Sequence, residues 1–221
     1  MKQLFIETKY TGKIELSLKD IEQLPKNVGL CSSVQFIDSL KDIKKQLEQK
    51  NIEVTLIKGH HSKHIGQILG CDVLSNHTLP DVDAFLYIGD GLFHPKSIML
   101  KTDKVVFSYN PFTKVFLQIS KKDVELMQKK RNAAIGKFHD SKTIGILIST
   151  KKGQNNETLS DKLEKKCPDK KFYRFIADTI DFNQLENFPF IESWVNTACP
   201  RIAYDDMTEH RKAIISIYDL I

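Results

Sequence analysis

The sequence predicts an α/β protein built from two similar small domains, each a parallel sheet flanked by helices. Two observations support this fold class. Strand-like segments alternate along the chain with amphipathic, helix-like segments. The strand-like segments are apolar throughout rather than at every second residue, which is typical of parallel strands covered on both faces. Because ligands of such sheets bind beyond the carboxyl ends of the strands, we expect the chemistry in the turns that follow them.

The first half of the chain contains four predicted strands. They cover residues 27–31, 52–57, 84–88 and 104–109. A helix is predicted between the first two strands, because apolar residues recur there at helical spacing. Those residues are Ile37, Leu40, Ile43 and Leu47. A polar loop that contains histidines and glycines follows the second strand and leads to Cys71.

A long amphipathic helix over residues 121–138 is predicted to separate the two halves. The residues on its apolar face are Val124, Met127, Ala134, Ile135 and Phe138. The second half repeats the pattern, with strands near residues 143–149, 171–176, 190–195 and 213–217 and helices over 157–166 and 181–188. We therefore expect two domains, residues 1–125 and residues 126–221.

The composition argues against a membrane-spanning protein and against a nucleic-acid-binding protein. The 221 residues contain no run of about 18 apolar residues, and the N-terminus lacks a signal peptide, so we expect a cytoplasmic protein with no membrane partner. The net charge of +5 comes from lysines scattered over amphipathic helices, which favours a solvated face. A weak attraction to an acidic protein or a nucleic acid is the alternative. Because aromatic residues are not interleaved with the basic ones, we expect no direct nucleic-acid partner.

Four cysteines are the strongest chemical signal. In a cytoplasmic protein they stay reduced, so metal binding or catalysis is favoured over a disulfide framework. None forms a C-x-x-C pair, so a metal site would be assembled from distant segments. Cys71 in "GQILGCD" and Cys199 in "NTACPR" lie in turns punctuated by glycine, alanine or proline. Their placement alone leaves both a structural and a functional role open.

The other candidate metal ligands are weaker. Cys31 lies in an apolar segment and is interpreted as core. Cys167 is expected to be exposed at a helix end, with no other candidate ligand near it. The loop histidines His60, His61 and His64 have no regular spacing that would orient them, so a solvated or substrate-facing loop is favoured over a metal site.

Two turns after strands are candidate ligand sites. In "YIGDGLFHP", Gly89 and Gly91 flank Asp90 and allow a ligand to approach the backbone closely. This segment is not a dinucleotide fingerprint, because it lacks G-x-G-x-x-G and a helix that opens directly afterwards. "STKKGQ", residues 149–154, precedes a helix, so its backbone N–H groups could hold an anion, but it is no P-loop.

Taken in order, five segments resemble one family, the archaeal-type 2-(3-amino-3-carboxypropyl)histidine synthase of diphthamide biosynthesis. The segments are "VGLCSSVQFIDSLKDIKKQLE", "GQILGCD", "VDAFLYIGDGLFHP", "GILISTKKGQ" and "VNTACPRIAYDD". The resemblance extends from about residue 4 to residue 221. Five segments in the same order and at compatible spacing are far more specific than any one of them.

The resemblance implies three similar α/β domains, each of which gives one cysteine to a single 4Fe–4S cluster. Cys71 matches the ligand of the second domain and Cys199 that of the third. The cluster is implied to engage S-adenosylmethionine. Reductive cleavage then yields a 3-amino-3-carboxypropyl radical, which adds to a histidine of elongation factor 2.

One departure from the family concerns the third thiolate, because the first domain and its cysteine motif have no counterpart in this sequence. A separately encoded first-domain protein, or a partner in a homo- or hetero-dimer, would complete the site. Alternatively, the chain is a truncated or degenerate, non-catalytic partner. In a third explanation, Cys31, a loop histidine or an exogenous ligand fills the position. A subunit whose activity depends on a partner is the favoured interpretation.

The expected ligand pocket is formed by residues near the two matching cysteines. Gly89, Asp90, Gly91 and His94 shape it, followed by Gln154. Arg201 and Asp205 carry the charges that would bind the carboxylate and the amine of an aminocarboxypropyl group. An equally supported alternative is that Arg201 and Asp205 form a surface ion pair.

Overall fold

A computed structural model of the chain describes residues 4, 6–59, 61–70, 79–204 and 213–221. The chain divides into two compact units, Met1–Val124 and Glu125–Ile221. Each unit contains one sheet in which parallel pairs dominate, so the α/β fold class predicted from the sequence is confirmed. Among the described residues, no helix combines the length and the apolar composition needed to span a bilayer.

The first unit contains a five-stranded sheet. Its elements are α1 (Leu18–Ile21), β1 (Asn27–Ser32), a 3₁₀ turn (Val34–Ser39), α2 (Leu40–Glu48), β2 (Glu53–Leu56), β3 (Ala84–Ile88), α3 (Phe93–Met99), β4 (Val105–Asn110) and β5 (Val115–Gln118). The strand order is β2-β1-β3-β4-β5. The pairs among β1 to β4 are parallel, whereas β5 pairs antiparallel with β4.

Packing in the first unit confirms the apolar face predicted for the first helix. Ile37, Leu40, Ile43 and Leu47 are all buried. The segment nevertheless begins as the 3₁₀ turn and becomes α-helical only at Leu40. All five residues of β3 are buried, as expected for a strand covered on both faces.

The second unit contains a four-stranded, all-parallel sheet in the order β7-β6-β8-β9. Its elements are α4 (Lys121–Asp140, which begins in the first unit), β6 (Thr143–Ser149), α5 (Glu157–Lys166), β7 (Lys171–Ala177), a 3₁₀ turn (Phe182–Asn187), β8 (Ser193–Asn196), α6 (Arg201–Tyr204), β9 (Ile214–Ser216) and a second 3₁₀ turn (Ile217–Asp219). The expected strand near residues 190–195 begins only at Ser193.

A close approach between two strands explains the glycine in β6. Gly145 is the register partner of Trp194 in β8. A Cβ atom at Gly145 would overlap the Trp194 ring. The ring is fully buried and packs edge-to-face against Phe175, with the ring centroids 4.8 Å apart. Any larger residue at position 145 would therefore displace the centre of this core.

One sequence-based expectation for the first unit is wrong. A helix does open directly after the Gly-rich turn, because α3 begins at Phe93, two residues after Gly91. Pro95 is compatible with it, since the first turn of a helix does not need the N–H group that proline lacks. Cys31 lies inside β1, as its placement in an apolar segment predicted, and is the register partner of Tyr87.

Candidate functional site

The turn after β8 contains Cys199 and is held by the side chain of Asn196. Asn196 is fully buried at the end of the strand. Its Nδ2 donates to the carbonyl oxygen of Cys199 (2.9 Å), and its Oδ1 accepts from the backbone N–H of Ala198 (3.1 Å). One side chain therefore holds the carbonyl group of Cys199 and the N–H group of the residue before it, and Cys199 itself is half-buried.

This turn is joined to the loop that follows β6. The backbone N–H and the hydroxyl of Thr197 both donate to the carbonyl oxygen of Leu147, at 3.0 and 2.9 Å. Asn156, which precedes α5, donates from Nδ2 to the carbonyl oxygen of Thr197 (2.8 Å). The two loops therefore lie side by side at the carboxyl edge of the second sheet, the edge at which ligands of parallel sheets bind.

Gln154 and Arg201 lie on these two loops. Gln154 is half-buried and follows Gly153, whose φ of +80° is in the left-handed region that favours glycine. Arg201 is exposed and begins α6. Asp205 lies outside the described residues, so its pairing with Arg201, and its role toward an amine, stay predictions.

A partly buried network of Tyr204, Asp219 and Arg131 anchors α6, the helix that follows Cys199. The hydroxyl of Tyr204 donates to Oδ1 of Asp219 (2.8 Å), and Nε of Arg131 donates to the same oxygen (2.7 Å). Burial and the neighbouring carboxylate raise the pKa of Tyr204, so the hydroxyl keeps the proton that it donates. The Cys199 turn is thus held at both ends, by Asn196 and by this network.

The Gly-rich turn of the first unit is also fixed by hydrogen bonds. The backbone N–H of Gly89 donates to the carbonyl oxygen of Tyr109 (3.0 Å). Oδ1 of Asp90 accepts from the backbone N–H of Gly91 (2.8 Å) and from Nδ2 of Asn110 (2.9 Å). Gly91 has a φ of +73°. Asp90 therefore joins the carboxyl ends of β3 and β4. One oxygen of its carboxylate is already used as the acceptor for these two hydrogen bonds.

His94, in the first turn of α3, contacts a tyrosine of the adjacent strand. Its ring stacks on that of Tyr87, with the centroids 5.4 Å apart and the planes at 13°. Its Nδ1 lies 3.3 Å from the Tyr87 hydroxyl. Burial raises the pKa of Tyr87, so this phenol stays protonated.

Cys71 lies outside the described residues, but the chain that leads to it is described as far as Gly70. The backbone N–H of Ile68 donates to the carbonyl oxygen of Ser32, at the end of β1 (2.9 Å). Gly70 packs so closely on the ring of Phe93 that a Cβ atom would overlap it. The segment before Cys71 therefore lies at the carboxyl edge of the first sheet, beside the start of α3.

Within the described ranges, the remaining cysteines and histidines do not converge on a site. Cys31 is fully buried among apolar side chains, and this burial raises its pKa, which disfavours the thiolate that a metal would need. Cys167 is half-buried against the second unit's core rather than exposed as expected. His64 lies 2.9 Å from the Glu7 carboxylate. His60 is outside the described residues, and His61 is exposed.

The donor chemistry of the described residues fits an iron–sulfur cluster at one position, Cys199. Iron in such clusters is bound by thiolates, and Cys199 is a half-buried cysteine on a fixed backbone. Across the part of the chain that the structure describes, no three His, Cys, Asp or Glu side chains are grouped to hold a metal. The burial and the raised pKa of Cys31 disfavour the explanation that uses it as the third ligand, and Cys71 stays a predicted ligand.

Several residues of these turns were not predicted from the sequence. They are Tyr87, Asn110, Asn156, Asn196 and Thr197. Asn196 carried a usable signal, because asparagine is disfavoured in strands and this one ends an apolar strand. Asn156 and Thr197 carried none, since 41 residues separate them in the chain.

A cavity of about 400 Å³ lies elsewhere in the first unit. Its lining includes Lys104 and Val105 at the start of β4 and Gln118 at the end of β5. Because β4 is parallel to β3, this is the edge of the sheet opposite the Gly89–Gly91 turn. The cavity is therefore not part of the expected ligand pocket.

Comparison with known proteins identifies the family. The family described as "Putative diphthamide synthesis protein" matches residues 1–221. The 2-(3-amino-3-carboxypropyl)histidine synthase of Pyrococcus horikoshii is 31% identical over 217 residues, covering 96% of this chain and 61% of that protein. Subunit 1 of the corresponding human protein is 29% identical, covering 87% of this chain and 43% of that protein.

The fold agrees with a solved relative. The crystal structure of Dph2 from Pyrococcus horikoshii with a 4Fe–4S cluster superposes with a TM-score of 0.77 at 30% identity, covering 92% of this chain and 58% of that one. The chain thus spans less than two thirds of the length of these relatives. The family model covers the chain from end to end, and the resemblance based on five segments is confirmed. The chain belongs to the diphthamide synthesis protein family.

Proposed function

We propose that the chain is a subunit of an iron–sulfur enzyme of diphthamide biosynthesis. In this proposal the enzyme transfers the 3-amino-3-carboxypropyl group of S-adenosylmethionine to a histidine of elongation factor 2. The observation that carries the proposal is the Cys199 turn, in which Asn196 holds the backbone of a half-buried cysteine at the carboxyl edge of a parallel sheet. The Pyrococcus horikoshii Dph2 with a 4Fe–4S cluster, which has the same fold, supports it.

Cys71 and Cys199 are the proposed cluster ligands from this chain. The chain has four cysteines, and the other two, Cys31 and Cys167, pack against apolar clusters. The third thiolate therefore comes from outside these 221 residues, from a separately encoded first-domain protein or another partner subunit. When bound, the cluster supplies the electron that cleaves a carbon–sulfur bond of S-adenosylmethionine.

The chain's own residues bind and orient the substrate in this proposal. The Gly89–Gly91 turn lets the ligand approach the backbone, and His94 contributes a polar ring beside it. In the second unit, Gln154 adds a polar side chain. Arg201 binds the carboxylate of the aminocarboxypropyl group as a hydrogen-bonding cation, and Asp205 binds its amine.

Anaerobic reconstitution with ferrous iron and sulfide tests the proposal. Together with the partner, the chain is expected to become brown, with broad visible absorption. Cys71→Ala and Cys199→Ala are expected to lose this absorption. Cys167→Ala is the matched control and is expected to keep it, since that residue packs against the core at the end of α5. A wild-type protein that stays colourless with its partner would contradict the proposal.

The second candidate is a non-catalytic partner subunit of the same pathway. The shortage of thiolates favours it, because Cys31 is fully buried and its raised pKa disfavours the thiolate that a metal would need. For such a subunit, Cys71→Ala and Cys199→Ala would keep both stability and partner binding, and the wild type would hold no iron. Iron content and partner affinity, measured on the same variants, separate the two candidates.

A further inference from the structure

The first unit begins with a segment without regular secondary structure, residues 6–16, which we call the strap. Its second half is held by the side chain of Gln46 in α2. The backbone N–H of Leu16 donates to Oε1 of Gln46 (3.0 Å), and Nε2 of Gln46 donates to the carbonyl oxygen of Ile14 (2.9 Å). Ile14 and Leu16 are also buried in the core of the unit. This half of the strap is therefore fixed to α2 and to the core.

The middle of the strap contacts the 3₁₀ turn that follows β1. The backbone N–H of Tyr10 donates to the carbonyl oxygen of Gln35 (2.7 Å), and its ring packs against Phe36 with the centroids 5.5 Å apart. Nζ of Lys9 donates to Oδ1 of Asp38 (3.0 Å). Because this turn directly follows β1, the strap reaches the carboxyl edge of the first sheet.

Near the start of the strap, the Glu7 side chain contacts the loop of residues 58–70, which precedes Cys71 and which we call the cysteine loop. Nζ of Lys63 donates to Oε1 of Glu7 (2.9 Å), and Nε2 of His64 donates to Oε2 (2.9 Å). The hydrogen bond from Lys63, followed by that from His64, holds the pKa of Glu7 below its ordinary value. A carboxylate can only accept hydrogen bonds, so both loop side chains are donors to it.

The two residues that Glu7 contacts belong to a turn that is closed on itself. The side chain of Gln67 is buried, and its Oε1 accepts from the backbone N–H groups of Lys63 (3.0 Å) and His64 (3.1 Å). The backbone N–H of Gly59 donates to the carbonyl oxygen of Gln67 (3.2 Å). A contact to Lys63 and His64 therefore acts on the whole turn rather than on two independent side chains.

We propose that Glu7 is a positioning residue that fastens the cysteine loop to the strap. The loop then has two supports, the Glu7 carboxylate and a backbone hydrogen bond from Ile68 to Ser32 of β1. The role of the loop as the carrier of a cluster ligand rests on the proposed function, whereas its attachment to the strap does not. Both Glu7 contacts are partly exposed ion pairs, so each is modest in strength and sensitive to salt.

Amide hydrogen exchange of the full chain without a cluster tests this proposal. Glu7→Gln keeps the length of the side chain and removes its charge. We expect the amides of residues 61–68 to exchange about three- to tenfold faster than in the wild type, while those of β1 and β3 keep their rates. A general loss of stability would instead lower the protection of the whole sheet.

Salt dependence separates the ion pairs from any other effect of the substitution. Raising the sodium chloride concentration from about 0.05 to about 1 M should speed the exchange of the same loop amides in the wild type, because salt screens the Glu7 contacts. The same change should leave the loop in Glu7→Gln nearly unaffected, since the charge is already absent.

Alkylation of the cysteines connects the loop with the candidate cluster ligand. With iodoacetamide, Cys71 should react faster in Glu7→Gln than in the wild type, because a loosened loop exposes its thiol more often. Cys199 in the same molecule should keep its rate, since it belongs to the second unit. The ratio of the two rates, measured by mass spectrometry, is therefore internally controlled.

Two further variants keep the test specific. His64→Ala removes one of the two donors and should have a smaller effect of the same sign, and it should add little when combined with Glu7→Gln. Glu15→Gln is the matched control, because it makes the same substitution on the same strap, where the Glu15 side chain pairs with Lys13. It should match the wild type in every measurement.

Unchanged exchange of the cysteine loop in Glu7→Gln would overturn the proposal, as would an equal effect of Glu15→Gln. A wild-type rate of Cys71 alkylation beside a faster-exchanging loop would overturn it too, because the loop would then not position that cysteine. Since these measurements need neither a cluster nor S-adenosylmethionine, failure of reconstitution would contradict the proposed function alone.

Discussion

At the scale of single residues, Lys170 stabilises the carboxyl end of α4. Its Nζ donates to the carbonyl oxygens of Phe138 (3.0 Å), His139 (2.9 Å) and Ser141 (2.6 Å). The last carbonyl oxygens of a helix lack the donor one turn further on that the others have, although Phe138 also accepts from the N–H of Ser141 (3.3 Å). A cation there also complements the helix dipole. Lys170→Met should lower the free energy of unfolding by about 1–3 kcal/mol, measured by urea denaturation.

The control for this prediction is Lys162→Met, on the exposed side of α5. An exposed lysine without such contacts should change the stability by less than about 0.5 kcal/mol. Equal effects of the two substitutions would show that the three carbonyl contacts contribute nothing measurable.

Glu192 gives the second unit a stability that depends on pH. The backbone N–H groups of Thr143 (2.7 Å) and Lys142 (2.6 Å) donate to its Oε2 and hold the pKa of this carboxyl below its ordinary value. Since the pKa is lower in the folded state, the carboxylate stabilises the fold above its unfolded pKa. This contribution is lost as the pH falls through the folded pKa.

Glu192→Gln keeps an acceptor oxygen and removes only the charge, which makes it the matched variant. Its Tm should lie below that of the wild type at neutral pH, and the two values should converge in acid. Thermal unfolding followed by circular dichroism over this pH range measures the difference. A gap in Tm that is constant with pH would contradict the assignment.

At the scale of elements, the turn between β8 and α6 depends on Asn196. Asn196→Ala would leave the buried backbone groups of Cys199 and Ala198 without their partners. We expect a loss of about 1–3 kcal/mol in the free energy of unfolding. We also expect the visible absorption of a reconstituted cluster to fade faster in this variant than in the wild type, although the variant keeps the thiols of Cys71 and Cys199. The control is Asn187→Ala, on an exposed 3₁₀ turn, which should match the wild type in the free energy of unfolding and in the rate of cluster loss. Identical behaviour of the two variants would refute the role of Asn196.

The same elements show what could be predicted from the sequence. Residues 84–88, 143–149 and 157–166 form β3, β6 and α5 with the expected ends, because continuous apolar runs and helical spacing are local signals. β5 was not predicted, since its four residues are half-exposed and depend on antiparallel pairing with β4. The helix α3 was not expected. It contains Pro95, and a proline interrupts a helix everywhere except in its first turn, which is where Pro95 lies.

For the candidate site, the sequence predicted a cysteine but not the side chains that hold it. Cys199 was predicted as a candidate because a turn rich in small residues and proline follows an apolar strand. The side chains that hold this turn were not found, since Asn156 and Thr197 become neighbours only when the sheet forms. The pairing of Tyr87 with His94 likewise requires α3 to pack against β3.

At the scale of the whole molecule, each unit encloses its own apolar clusters. In the first unit, Leu86 of β3 is fully buried among side chains from β1 and α2. In the second unit, Leu147 of β6 is buried with Trp194 and Ile214. A substitution in either core should therefore act first on the unit that contains it.

Reciprocal core substitutions test this division. Leu86→Ala and Leu147→Ala remove the same side chain from a buried strand, and each should cost about 2–5 kcal/mol. Amide hydrogen exchange should show reduced protection of β1–β5 in Leu86→Ala and of β6–β9 in Leu147→Ala, while the other sheet keeps its protection. Each variant is thus the other's control. If both lowered protection equally in all nine strands, the two units would unfold as one cooperative structure, and a damaged core in either unit would then expose both candidate cysteines together.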